Sequence, residues 1–570
     1  MSRPWKLKPV DEKSVRETAD LSGLPIPLAR ALVLRGHHAS DEIEAFLNPR
    51  LASLADPFLL PGMHHAVSRL WKAIDAAEVI TIFGDYDVDG VTSAAVLVRV
   101  LSALGANVKP FIPDRIDEGY GLSLEALERC LSEHGSTLVV TVDCGTNSED
   151  SIAFARANGV DVVVTDHHEP DGIASSAFAL VNPKLGTARE LEDLSGVGVA
   201  FKLAHALLKS GRDAGRETAA NVDLRNYLDF VALGTVADIV PLVEENRIIV
   251  RHGLAALDAT KWKGLRALKT VAGMRGKADV YHLGFQLGPR INAAGRIGQP
   301  MQALQLLITE DATEARRIAK LLDDTNSERR RIEKEMAEQA FSEIDGYFNP
   351  ASHFGLVIAR ENWHPGVVGI VASRVSRHYN RPSIVLGVDA DGCAQGSCRS
   401  IGEFDMLQGL QTCEQHLATF GGHKMAAGLT LESGALEAFK QDFNAAAASV
   451  LKDADLAPVQ YIDAIVSVDE VDWDFHGQLK RLQPFGQDNP EPVWALENVC
   501  ISGTPRVVGQ NHLKFSVISG SSQLDAIAFN YALEQLPTGP LDIAFTLKEN
   551  SWNGNDTLQL QVKDIRPAGS

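Results

Sequence analysis

The sequence predicts an α/β protein that ends in a small all-β barrel. Three observations carry that expectation. From about residue 76 to 240, short β-favouring apolar runs alternate with helical patterns, the signature of a largely parallel sheet with helices on both faces. A second α/β unit follows from 351 to about 455, reached through a long charged stretch without Pro or Gly. Beyond about 456, five or six short strands punctuated by Gly, Asn and Pro suit a small barrel.

A chain of 570 residues has room for three or four domains, each with its own core. The reading divides it into an N-terminal cap on the first catalytic domain (1–75), that catalytic domain (76–300), a connecting long helix (301–350), a second α/β domain (351–455) and the barrel (456–570). The net charge of −20 speaks against indiscriminate nucleic-acid binding, but a basic groove on an acidic body is compatible with it. Six scattered cysteines, none in a CxxC pair, point to reduced thiols, and Cys393 and Cys398 read as strand residues rather than zinc ligands. The opening MSRPWKLKPV lacks an apolar signal core, and no run of about 18 apolar residues occurs. A cytoplasmic protein with no membrane association is expected.

The first 75 residues look helical, interrupted at Pro25, Pro27, Pro57 and Pro61. Their paired histidines, His37-His38 and His64-His65, read as surface residues.

The chemistry begins at Val79 to Ser93, VITIFGDYDVDGVTS. Five β-favouring residues, Val79 to Phe83, form a short buried strand, a carboxylate-rich turn follows, and a helix starts near Val91. Asp85, Asp87 and Asp89 are spaced by two, which in an extended segment projects them to one side. Three clustered carboxylates stay ionised comfortably only around a cation. An EF-hand would need a bidentate Glu where Val96 stands, and a helix rather than a strand before the loop. A haloacid-dehalogenase-type nucleophile would directly follow the strand, but Gly84, Asp85 and Tyr86 intervene. A solvated acidic turn capping a helix is the plain alternative.

Repetition argues against that plain alternative. LVVTVDCGT ends a strand on Asp143, VDVVVTDHHEP ends one on Asp166-His167-His168, and GTVADIVPL places Asp238 after an apolar helical run. Open α/β sheets bind ligands at the carboxyl ends of their strands. Carboxylates with imidazole and no thiolate cluster suit Mg²⁺ or Mn²⁺, and there are enough of them for two ions sharing a bridging ligand. Two such ions serve phosphoryl displacement, so phosphoester hydrolysis is the inferred reaction.

GDYDVDGVTS, VDCGT, TDHHEP and GTVADIVPL together resemble the successive motifs of the DHH phosphoesterase superfamily, the DHH being Asp166-His167-His168. LNPRLASLADPFLLPGM, IPDRIDEGYGLS, GPRINAAGRIG and QPFGQDNPEP resemble, more narrowly, its RecJ family of bacterial single-strand-specific exonucleases, over nearly the whole chain. The resemblance implies a DHH-type domain and a DHHA1-type domain joined by a long helix, then an OB-fold. It also implies metal ligands at Asp87, Asp89, Asp143, His167 and Asp238. His168 would contact the scissile phosphate, and Asp89, Asp143, His167 and His168 would form the catalytic set. Asp85 and Asp166 are left with a capping or supporting role.

Candidate nucleic-acid contacts follow from the same motifs: Arg115 and Tyr120 in the loop after the second strand, Arg290 in the Gly-rich GPRINAAGRIG, and Arg374, Ser397 and Arg399 in the second unit. Gly422 and His423 of GGHKMAAG join them, where a backbone can approach a phosphate closely. Arg329-Arg330-Arg331 on the long helix reads as a solvated face paired with nearby Glu. In the barrel, Phe515, Phe529 and Trp552 read as packing rather than base-stacking residues. The implied activity is 5′-to-3′ hydrolysis of single-stranded DNA in repair and recombination, with two Mn²⁺ or Mg²⁺ ions. A monomer is expected, with a helicase and a single-strand-binding protein as candidate partners. The alternatives are a DHH hydrolase of short oligonucleotides or cyclic dinucleotides, and a non-catalytic Cdc45-like DNA-binding scaffold.

Overall fold

The computed structural model describes residues 4–570 except 115–117, 120, 173, 391, 433, 453–454, 510 and 553–554. Arg115 and Tyr120 therefore lie outside the described residues, as does the side chain of Trp552.

The N-terminal segment begins with β1 (Trp5–Leu7), then helices Glu12–Ser22, Ile26–Val33 and Ser40–Leu47. These elements touch the first α/β unit, where Arg247 Nε donates to the Phe46 carbonyl (3.0 Å) and its guanidinium lies over the Phe46 ring, but most of their apolar surface packs elsewhere. Leu28, Leu32, Phe46 and Leu47 share one core with Trp494, Phe515 and Phe545 of the C-terminal barrel. β1 pairs in parallel with a strand at Gln460–Ile462. Lys8 and Arg30 both reach Asp463, the first through its carboxylate and the second through its carbonyl. The physical reason is that these short helices have apolar faces with no sheet of their own to cover, and the barrel supplies the apolar surface that buries them. The Met63–Asp75 helix, by contrast, packs on the first α/β core through Met63, Leu70 and Trp71.

The first α/β unit holds five strands, β2 (Val79–Gly84), β3 (Asn107–Phe111), β4 (Leu138–Val142), β5 (Asp161–Thr165) and β6 (Ala179–Val181). They lie in the order β3-β2-β4-β5-β6, all parallel. Every strand therefore ends at one edge, and the residues after β2, β4 and β5 are gathered there. The strands are nearly continuous apolar runs because helices cover both faces of a parallel sheet. Val88–Ala103 is buried along almost its whole length, against Gly196–Asp213 and Leu228–Ala237.

The Ala312–Asp345 helix is 34 residues long, or roughly 50 Å at 1.5 Å per residue. Asp311 caps its first turn by accepting from Thr313 and Glu314. Its first half packs Ile318 and Leu322 into the first core, and its second half packs Met336, Ala340 and Ile344 into the next. One rigid element thus sets the spacing of the two units. Arg331 pairs with Glu328 and Glu335 on an exposed face, as the charge pattern predicts, whereas Arg329 pairs with Glu333 with both side chains largely buried.

The second unit has a mixed sheet of β7 (Leu356–Glu361), β8 (Ser383–Val388), β9 (Ala394–Arg399), β10 (Leu417–Gly422) and β11 (Ala426–Leu431), in the order β10-β11-β9-β8-β7. After β12 (Gln460–Ile462) and β13 (Ala464–Ile465), the barrel is built from β14 (Trp494–Val508), β15 (His512–Ser519), β16 (Ser522–Ala528), β17 (Leu541–Trp552) and β18 (Asn555–Pro567). Pairing of β14 with β17 closes it, with Trp494 opposite Phe545. Phe515 is buried, whereas Phe529 is half exposed. Among the described residues, no helix is long and apolar enough to cross a membrane.

Candidate metal centre and strand cleft

The acidic turn after β2 is not the extended segment that the spacing suggests. The helix starts at Val88, and Asp87 is its N-cap, accepting from the amides of Asp89 (2.8 Å) and Gly90 (3.1 Å). Asp89 then lies in the first turn and points into the protein. Gly90 packs over Asp85 so closely that a Cβ there would meet the Asp85 amide nitrogen and carbonyl carbon at 2.6–2.7 Å. A helical turn, rather than strand alternation, brings the carboxylates together.

Asp89 is 1% exposed and sits on the N-terminus of the Gly196–Asp213 helix, accepting from Gly196 (2.6 Å) and Val197 (2.9 Å). A helix N-terminus favours an anion there. The motif reading misses this support, although Ser195-Gly196-Val197-Gly198 carries the signal of a capped, small-residue helix start. Asp143 follows β4 in a left-handed conformation with φ 61°, a strained state for a non-glycine residue and one typical of functional positions. Gly196 is required beside it, since a Cβ would stand 2.5 Å from Asp143 Oδ1. Asp238 caps the C-terminal end of Leu228–Ala237.

These groups converge. His167 Nε2 lies 3.2 Å from Asp143 Oδ1, 3.6 Å from Asp238 Oδ2 and 4.0 Å from Asp89 Oδ2. Among the described residues, three overlapping triads have donor atoms within 4.8 Å of one another: Asp143–His167–His168, Asp89–His167–Asp238 and Asp85–Asp87–Asp143. Asp143 Oδ1, His167 Nε2 and Asp238 Oδ2 are buried without hydrogen-bond partners. Buried polar atoms rarely go unsatisfied. Burial, with the charges of Asp238 and Asp87, raises Asp89 well above the carboxylate range; burial and neighbouring aspartates do the same to Asp143. Burial and Asp87 push Asp238 up to about 7, and burial pushes His167 down to about 4. Carboxyl oxygens that a cation would hold ionised and a neutral imidazole nitrogen, turned on one point, are the donor set of a hard divalent cation, so the residues fit Mn²⁺ or Mg²⁺.

His168 is set apart by Asp166, whose Oδ1 lies 2.7 Å from its Nδ1 and also accepts from the amides of His167 and His168. Burial opposes a charge on His168, but the Asp166 hydrogen bond and charge outweigh it and raise the imidazole to about 9. Asp166 itself is held below the carboxylate range: burial works against this, and the bond and charge of His168 prevail. At neutral pH the site thus presents a neutral His167 beside a cationic His168.

A cavity of about 560 Å³ opens between the two α/β units, lined by Gly119 of the first and by Gly366, Ser397, Thr419, Gly421 and Thr430 of the second. The units touch where Gly366 packs on the Arg296 backbone, and Arg296 Nη1 donates to the Gly366 carbonyl (3.1 Å). Ser397 and Arg399 lie on β9, and Arg399 Nη1 donates to the Cys398 carbonyl (2.8 Å). Gly422 has φ 143°, and a Cβ there would clash with Ala426 and Ala427, so the β10–β11 hairpin demands glycine. The exposed His423 sits on its tip, its amide donating to Ala426 (2.8 Å). Arg374 is half exposed and pairs with Glu333 of the long helix at 3.3 Å. Arg290 is a correction. It is 7% exposed, its guanidinium bonded to Asp323 (2.9 Å) and to the Gln286 carbonyl (2.6 Å), because the Gly-rich helix packs against the long helix there. It ties two helices together rather than facing the cleft.

Family models match three segments: the DHH family N-terminal domain over 79–235, the DHHA1 domain over 353–449 and the RecJ OB domain over 462–564. The single-stranded-DNA-specific exonuclease RecJ of Escherichia coli (strain K12) is 36% identical over 574 residues, covering 97% of this chain and 98% of the relative. That of Bacillus subtilis (strain 168) is 38% identical over 568 residues, covering 98% of this chain and 70% of the relative. The crystal structure of RecJ in complex with Mn²⁺ from Thermus thermophilus superposes with a TM-score of 0.83 at 31% identity, covering 100% of this chain and 80% of that one. The Mg²⁺ complex from the same organism gives 0.79 at 30% identity, covering 100% and 79%. With three domain matches in order and full-length likeness in both sequence and fold, the chain belongs to the RecJ family of single-stranded-DNA-specific exonucleases.

Proposed function

We propose that this chain is a metal-dependent exonuclease that hydrolyses the phosphodiester bonds of single-stranded DNA from a free 5′ end. The observation that carries the reading is the convergence of Asp143 Oδ1, His167 Nε2 and Asp238 Oδ2, buried and without hydrogen bonds, at the carboxyl edge of the parallel sheet. Asp87, Asp89, Asp143, His167 and Asp238 would hold two Mn²⁺ or Mg²⁺ ions, which when bound activate water and offset the charge of the phosphate. Asp89 is held in place by the helix N-terminus behind it, and His167 stays neutral as a ligand must. His168, kept protonated by Asp166, supplies a charge-assisted hydrogen bond to a phosphate oxygen.

Ser397, which lines the cavity, with Arg399 on the same strand and Gly422 and His423 of the neighbouring hairpin, would hold the strand's phosphates, and Arg374 lies on the adjoining Pro365–Tyr379 helix. The barrel extends the strand-binding surface, as small barrels of this kind do. The 5′ polarity rests on the family resemblance. A monomer working in the cytoplasm beside a helicase and a single-strand-binding protein fits this activity.

The test is digestion of linear and circular single-stranded DNA by the purified chain with Mn²⁺, with EDTA as control. Linear DNA is expected to be consumed only with the metal, and circles to resist. Binding without hydrolysis would return the scaffold reading, and cleavage confined to the shortest oligonucleotides would return the oligonucleotide-hydrolase reading.

A further inference from the structure

The helix that packs beside the metal centre opens with an aromatic pair that none of the strand-end motifs includes. Residues His282–Leu287 wind as a π-helix, a rare geometry that recurs at functional sites. Just before and within it, Tyr281 and Phe285 stack on each other with centroids 5.2 Å apart and planes 22° from parallel. Both are open to solvent, Tyr281 at 58% and Phe285 at 71%. Two large rings stacked and exposed in this way cover no core. They form a flat apolar surface looking outward.

Their position follows from the glycines beside them. Gly284 packs on Val236, and Gly288 lies within reach of both Ala237 and Val88. Val88 sits between Asp87 and Asp89, and Ala237 precedes Asp238. The amide of Val88 donates to Asn292 one turn further on (3.0 Å). The same helix continues to Arg296, where it meets Gly366 of the second unit. The aromatic pair therefore lies at the end of this helix away from the second unit, beside glycines that pack on the chain neighbours of Asp87, Asp89 and Asp238. Ile239, directly after Asp238, adds a 70% exposed β-branched side chain held at φ 65°, a conformation such residues rarely adopt.

We propose that Tyr281 and Phe285 form a stacking platform for a base of the bound single strand, on the side of the cleavage point away from the second α/β unit. The occupant follows from chemistry. The metal centre would hold a phosphodiester, and an unpaired nucleotide next to it carries a flat π-face within reach of a flat aromatic surface. Aromatic stacking is tolerant of sequence, which suits an enzyme that must degrade any strand. A base inside a duplex is already stacked on its neighbours and cannot be offered to Phe285, so the platform also selects for single strands. This inference rests on the exonuclease reading above.

The test is binding of single-stranded oligodeoxyadenylate by the full chain, with Ca²⁺ in place of Mn²⁺ to slow hydrolysis. Phe285→Ala is expected to weaken binding about tenfold, the size of one base–aromatic stack, and Phe285→Trp to restore it. The Mn²⁺-induced rise in Tm should persist in Phe285→Ala, which shows that fold and metal centre are intact. Placing a single abasic nucleotide at successive positions should find one position where wild type loses affinity and Phe285→Ala loses no more. Wild-type affinity in Phe285→Ala, or an equal loss at every abasic position in both proteins, would overturn the platform. Failure of the wild-type chain to bind single strands at all would instead sink the exonuclease reading.

Discussion

His167 Nε2 stands 3.2 Å from Asp143 Oδ1, both atoms are buried, and neither makes a hydrogen bond. A neutral imidazole and an acid in that relation attract each other weakly unless something positive lies between them and Asp238. Burial and Asp87 raise Asp238 to about 7, and Asp89 and Asp143 are raised as well. A raised acid leaves the metal-free fold at full strength below the unfolded carboxylate value of about 4, and its contribution is lost as pH rises through about 7. A bound cation reverses that loss. The rise in Tm produced by Mn²⁺ should therefore be larger near pH 8 than near pH 5.5. Metal-free Asp238→Asn should be more stable than metal-free wild type near pH 8, and should gain little from Mn²⁺. A Mn²⁺ effect that shrinks with rising pH would contradict the ligand set.

The Asp166–His168 pair gives a second prediction. Burial opposes the charge on His168, and the bond to Asp166 holds it at about 9 regardless. The pair's stabilisation is fully present below the unfolded histidine value of about 6.5 and is lost as pH rises through about 9. Asp166→Asn keeps a hydrogen-bond acceptor but removes the charge. Its His168 should titrate lower by NMR, and hydrolysis near pH 8 should fall about 10–100-fold. An unchanged His168 titration would show that Asp166 does not set its charge.

Arginines can be sorted by what they touch. Arg290 is buried against Asp323, so Arg290→Ala should lower stability by about 2 kcal/mol, less than a fully buried pair because Asp323 is partly exposed. Arg399→Ala should instead weaken single-strand binding about tenfold and flatten its salt dependence, with little change in Tm. The reverse pattern in denaturation and binding titrations would reassign both.

The N-terminal helices should be needed for the barrel. Leu32 is fully buried in the core it shares with Trp494 and Phe545. Leu32→Ala should cost about 2–4 kcal/mol and expose the barrel to limited proteolysis before the first α/β unit. Loss of the α/β unit first would contradict the shared core.

What the sequence disclosed was what is local. Asp89, Asp143 and His167 were legible because a parallel sheet delivers every strand end to one edge, so strand-then-acid motifs mark a site without any knowledge of contacts. The long helix was legible from an unbroken charged pattern with no Pro or Gly. Pairing of Trp5–Leu7 with Gln460–Ile462 was not, since nothing local records a partner some 455 residues away. Arg290 misled for the same reason, its partner Asp323 lying on another helix. Asp85, Asp87 and Asp89 misled through their spacing, which fits a strand, whereas Asp87 caps a helix that starts one residue later. Tyr281 and Phe285 have helical spacing, which in sequence is indistinguishable from core packing, and only their exposure sets them apart.

Directional hydrolysis tests the central claim most directly. Two labelled duplexes, one with a 5′ single-stranded tail and one with a 3′ tail, are incubated with the purified chain and Mn²⁺, alongside Asp143→Asn and EDTA controls. The 5′ tail should be trimmed to the junction while the 3′ tail stays intact, and both controls should be inert. Preferential loss of the 3′ tail, or full activity in Asp143→Asn, would contradict the account.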